Sequence, residues 1–206
     1  MTRTTLAGLV SALALTTALA ACGQSAEVKS DMPPLPASAT APITYARDVH
    51  SYARPEIARV RNVALDLTAD FERKILSGTA TLTVMAEAGA TQVVLDTRNL
   101  DIRSVKDADG QPLQYVLGGA DPILGQSLTV TFPPFTAGES REIVIDYATR
   151  PDASALQWLT PSQTAGGEKP YLFSQGQAIL TRTWVPTQDS PGIRQTYEAR
   201  IVARPT

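Results

Sequence analysis

The chain is expected to fold as an all-β protein. Three observations point there. Residues 63–71 alternate strictly, with Val63, Leu65, Leu67, Ala69 and Phe71 on one face and polar residues on most of the other. The alternation resumes after the polar turn Glu72-Arg73-Lys74, with Leu76, Gly78, Ala80, Leu82 and Val84 inward and Ser77, Thr79, Thr81 and Thr83 outward. A period of two is the mark of a half-buried strand, and two such runs around a short turn make a hairpin. No segment of the folded part repeats its apolar residues every 3.6 positions over any length.

The remaining strands follow from the same two signals, apolar or β-branched runs and the turns that end them. Residues 92–95, 102–106, 112–116, 128–132 and 141–147 read as short strands. Turns at Asp107-Ala108-Asp109-Gly110, Leu117-Gly118-Gly119 and Phe132-Pro133-Pro134 separate several of them, because Gly, Asp and Pro supply the backbone angles and missing donors that stop a ladder. Residues 196–202 read as the last strand. The spacing is sandwich-like, and the sheets are expected to be mixed and mostly antiparallel.

The first part of the chain reads differently. Arg3 and an apolar run over residues 6–21 form a targeting segment, too short and too rich in Ala and Thr to span a membrane comfortably. It ends Leu19-Ala20-Ala21-Cys22, which resembles a bacterial lipobox, and Cys22 is the sole cysteine of the chain. An ordinary secretory signal with an incidental Cys is the alternative; the position of Cys22 favours lipidation. The expected organisation is a lipoprotein signal peptide over 1–21, a flexible Ala/Pro/Ser-rich tether over 22–53 and an all-β domain over 54–206. The tether has too few apolar residues to offset its ordering entropy. Its location would be the periplasmic face of a bacterial membrane, the outer one by preference, since no Asp follows Cys22.

Composition excludes several functions. Lys and Arg number 18 against 20 Asp and Glu, and no basic patch stands out, so nucleic acid is not an expected partner. One His (His50) and one Cys cannot build a zinc site of the usual Cys/His kind. Residues 138–142 (GESRE) depart from the G-x-S-x-G elbow in the final Gly. Asp66, Asp70 and Glu72 near one strand end read as a polar outer face rather than an acid/base pair. The informative stretch is 171–192, YLFSQGQAILTRTWVPTQDSPG. Gln175 and Gln177 flank Gly176 and precede Ala178, Ile179 and Leu180. A buried amide must find partners for both its ends. From the residues alone these two could complete a structural network or face a ligand.

Long strings of the chain resemble the N-terminal domain of the M-one family of zinc aminopeptidases, in its leukotriene-hydrolase-like branch. They are HSYARP (50–55), ALDLTADFERKILSGTATLTV (64–84), LDTRNLDI (95–102), SALQWLTPSQT (154–164), PYLFSQGQAI (170–179) and WVPTQDSPGIRQTYEARI (184–201). The resemblance implies a saddle-like β-domain packed against a catalytic domain. It assigns Gln175, Gln177 and Ala178 to the segment that meets the peptide substrate. Many relatives carry Glu at the position of Gln177, where it binds the substrate's free α-amine; some carry Cys at the position of Gly176. The zinc ligands, the general-base Glu and the G-x-MEN loop of the family have no counterpart in this sequence. The expectation is therefore a substrate-flanking domain, inactive alone, with no cofactor of its own and zinc in the full-length enzyme. The chain would meet peptide through that enzyme and membrane through Cys22. A non-enzymatic β-sandwich lipoprotein that binds a peptide or surface partner is the competing expectation.

Overall fold

The structure, a computed structural model, describes residues 47–203, which lie in one unit spanning Thr44–Thr206. Cys22 and residues 1–46 lie outside the described residues. Ten strands carry the architecture: β1 (Ala58–Asp70), β2 (Ile75–Ala86), β3 (Gln92–Thr97), β4 (Asp101–Asp107), β5 (Gln114–Leu117), β6 (Gln126–Thr131), β7 (Ser140–Ala148), β8 (Leu156–Leu159), β9 (Tyr171–Ser174) and β10 (Thr196–Ala203).

They form three sheets. A five-stranded sheet runs β10-β1-β2-β7-β4, a three-stranded one runs β3-β6-β5, and β8 pairs with β9 alone. Every pairing is antiparallel except β10 on β1, so the sheets are mixed and mostly antiparallel. The hairpin read from the alternation is present. β1 and β2 pair from Asp70↔Ile75 to Ala58↔Ala86 around the polar turn, where Lys74 takes a positive φ. Gly78 sits opposite Leu67 at φ +150°, and a Cβ there would lie 2.1 Å from the Asp66 carbonyl oxygen, so the register admits only glycine at this crossing.

The inward residues of the alternation are the core. Val63, Leu65, Leu67, Leu82, Val84, Ile143 and Ile145 of the large sheet share one apolar cluster with Val93, Leu95, Leu128 and Val130 of the three-stranded sheet. The two sheets thus bury a common interior, as the sandwich-like reading expects. The β8–β9 pair departs from the sequence reading, which assigned no strand to either segment. Each has four residues and shows little alternation, so neither carries a readable period. Leu156, Trp158 and Leu172 turn toward the core, and Trp158 meets Phe71 edge-on with ring centroids 5.1 Å apart. Tyr171 and Phe173, on the opposite face of β9, are exposed.

The chain is engaged with the domain upstream of Arg54, inside the stretch read as tether. Ser51 Oγ donates to Asp96 Oδ2 at 2.6 Å and the Tyr52 amide donates to Asp96 Oδ1 at 2.7 Å. At the other end, β10 lies on the edge of the large sheet with all eight residues exposed.

Candidate functional site

The sequence-selected segment leaves β9 at Ser174 and enters a tight loop. The Gln175 amide donates to the Ala155 carbonyl at 2.8 Å, and the Leu180 amide donates to the Gly176 carbonyl at 2.8 Å. These two bonds close the base of the loop. Within it, the Gln177 amide donates to Gln175 Oε1 at 3.0 Å, and the peptide bond joining Gln177 to Ala178 is cis. Gln175, Gln177 and Ala178 are all exposed. The burial that would enlist these amides in a core network is therefore absent. Both glutamine side chains are accessible to solvent. Gly176 rests on Thr181: a Cβ at 176 would lie 2.4 Å from Thr181 Oγ1, so a larger residue there requires that hydroxyl to rotate away.

Below the loop is a buried network that the sequence reading did not find. A single 3-10 turn, Thr181–Thr183, carries Arg182, whose side chain has no solvent exposure. Its Nε donates to Asp189 Oδ2 at 3.2 Å, Nη1 to the Leu124 carbonyl at 2.9 Å, and Nη2 to the His50 and Asp189 carbonyls at 2.8 and 3.0 Å. Nη1 also lies 3.7 Å from Asp96 Oδ1, and Asp96 is likewise fully buried. A planar guanidinium with its donors engaged in several directions holds one orientation. Burial pushes the Asp96 carboxyl above its ordinary range; hydrogen bonds from Ser51, Tyr52 and the Asp189 amide and the charge of Arg182 pull the other way.

The buried glutamine of this region is Gln188, not Gln175 or Gln177. Its Oε1 accepts from the Val60 amide at 3.0 Å, and its Nε2 donates to the Ala58 and Val94 carbonyls at 2.9 and 3.3 Å. Tyr147, buried beneath the Trp184-Val185-Pro186 corner, donates its hydroxyl to the Trp184 carbonyl at 2.9 Å, and burial raises its pKa. The only earlier signals were a place in the quoted strings for Asp96 and Gln188, in the 171–192 stretch for Arg182 and in a strand for Tyr147, since one Arg or Gln in a loop looks the same buried or exposed.

Metal chemistry has no seat among the described residues. No group of three His, Cys, Asp or Glu side chains is placed to hold an ion. His50 is exposed and sits 3.4 Å from Asp48. The donor set that zinc requires is not offered here.

A sequence profile described as the Peptidase M1 N-terminal domain matches residues 46–206. The chain belongs to this family. Two curated relatives support the assignment in sequence. Leucine aminopeptidase 2 of Yarrowia lipolytica is 37% identical over 155 residues, which cover 75% of this chain and 24% of that protein. Leukotriene A-4 hydrolase of Xenopus laevis is 36% identical over 156 residues, covering 75% and 26%. In structure, yeast LTA4 hydrolase in complex with bestatin superposes with a TM-score of 0.70 at 28% identity, covering 78% of this chain and 25% of that one. This M1 N-terminal domain thus spans about a quarter of the length of the relatives it matches. Proteins titled as M1 zinc metallopeptidases share the fold, one of them at 25% identity with a TM-score of 0.54.

Proposed function

We propose that this chain is the substrate-flanking β-domain of a lipid-anchored zinc aminopeptidase, in which Gln175, Gln177 and Ala178 face the N-terminal end of a peptide. The observation that carries the reading is the loop itself: two exposed amides on a short turn whose base is bonded to Ala155, next to β8, and which runs directly into the Thr181–Thr183 turn that carries the buried Arg182. An amide carbonyl oxygen accepts a hydrogen bond from a substrate ammonium without placing a second charge in the site. Zinc, bound by residues outside this chain, would polarise the scissile carbonyl and activate water. The work assigned to this chain is to bind and orient.

The test is a chimera in which this domain replaces the matching quarter of Yarrowia lipolytica leucine aminopeptidase 2. Release of an aminoacyl fluorophore is expected from the chimera and not from residues 22–206 alone. A chimera that folds but releases nothing, or release by the isolated domain, overturns the reading. The anchor is tested separately. Labelled palmitate should enter the wild-type precursor and not Cys22→Ser, since acylation at that thiol is what the lipobox reading requires. Equal labelling of the two removes the anchor.

A second reading rests on β10. Among the described residues it is an edge strand with all eight residues exposed, Tyr197 to 78%, which is the kind of surface an extended peptide pairs with. A non-enzymatic peptide-binding lipoprotein would bind through that edge, and Gln177→Ala would leave its affinity unchanged.

A further inference from the structure

The buried network beneath the loop suggests a second role for a residue that touches no substrate. We infer that Arg182 is a positioning residue for Gln175 and Gln177. The inference rests on the reading that these amides face the peptide. Gln175 and Gln177 have few restraints of their own: one bond from Gln175 to Ala155, one from Leu180 to Gly176, and the bond between the two glutamines. What they rest on is the Thr181–Thr183 turn, with Gly176 against Thr181 and the Leu180 carbonyl accepting from Thr183 Oγ1 at 2.7 Å. The orientation of that turn is set by Arg182. Its side chain ties together four separate stretches: the entering segment at His50, the turn at Leu124, β3 at Asp96 and the following loop at Asp189. Its own carbonyl accepts from the Arg98 amide at 2.8 Å, and its amide donates to Asp189 Oδ2 at 3.2 Å. A rotation of the turn would therefore move Gly176 and both amides together. Lysine retains the charge but not the fork, since it presents one nitrogen where Arg182 uses three.

The experiment is a double-mutant cycle in the chimera, with kcat/KM measured on a free-amine peptide for wild type, Arg182→Lys, Gln177→Ala and the pair. Arg182→Lys is expected to lower kcat/KM by about tenfold when Gln177 is present, and by no more than about twofold in the Gln177→Ala background. Amide exchange at Gln175 and Leu180 should accelerate in the same variant while the β1–β2 amides stay protected. Equal losses in both backgrounds mean a merely structural role and overturn the inference while leaving the peptide-facing reading intact. An unchanged kcat/KM in Arg182→Lys overturns it too. If Gln177→Ala alone leaves kcat/KM unchanged, the peptide-facing reading fails and the inference falls with it. Where Arg182→Lys does not fold, Asp189→Asn, which weakens the acceptor of Nε, takes its place in the cycle with the same outcomes.

Discussion

Arg182 Nη1 lies 3.7 Å from Asp96 Oδ1, and neither side chain reaches solvent. The pair does not meet in a direct hydrogen bond. Each ion is satisfied mainly by other groups, Arg182 by three backbone carbonyls and Asp189, Asp96 by Ser51, Tyr52 and the Asp189 amide. Buried charges persist only when their desolvation is offset in this way. The result is a charged knot that joins the entering segment, β3 and the loop leading to β10.

Removing one partner leaves the other buried and uncompensated. Arg182→Ala is expected to destabilise the domain by about 3–5 kcal/mol, measured by urea unfolding. A loss under about 1 kcal/mol would show that water enters the site and that the knot does not hold the loop.

The three glutamines of this region should separate cleanly in stability. Gln188→Ala deprives the Val60 amide and the Ala58 and Val94 carbonyls of buried partners, at a cost of about 1–3 kcal/mol. Gln175→Ala and Gln177→Ala alter exposed groups and should stay within about 0.5 kcal/mol of wild type. Thermal denaturation of the three variants checks the ordering. A Gln177→Ala loss as large as that of Gln188→Ala would return Gln177 to the structural network.

Acid sensitivity has an identifiable source in Glu139. Its carboxylate accepts from Arg141 Nε and from the Thr136 amide and hydroxyl, and these hold its pKa down to about 2, the Arg141 bond being the largest cause. A carboxylate depressed in the folded state stabilises fully above its unfolded value near 4.5 and loses that contribution as pH falls toward 2. Asp96, raised by burial, acts with the opposite sign, favouring the folded state as it protonates. Melting temperature followed from pH 6 to pH 2.5 should therefore fall less steeply in Glu139→Gln than in wild type. Parallel curves would contradict the assignment.

What the sequence disclosed depended on periodicity. β1 and β2 are long and half-buried, so their alternation was plain, and the inward residues named from it, such as Leu65 and Leu82, are core residues. β8 and β9 are four residues each, too short to show a period, and their pairing depends on contacts across the fold. The quoted strings located the Gln175–Ala178 loop and carried the family resemblance. They could not distinguish Gln188 from Gln177, because an amide's burial depends on the strands that surround it. Arg182 was hidden for the same reason: its partners are at positions 50, 96, 124 and 189, and only the folded chain brings these together.

The central claim is that Gln177 meets the substrate's free amine, and the most direct measurement is kcat/KM of Gln177 variants in the chimera, with melting temperature taken on the same preparations. Gln177→Ala is expected to lower kcat/KM by an amount worth on the order of 1–3 kcal/mol in transition-state terms, with the melting point unchanged. Gln177→Glu should tighten binding of free-amine peptides through a charge-assisted bond and leave N-acetylated peptides no better bound. An unchanged kcat/KM in Gln177→Ala together with a lowered melting point would contradict the account.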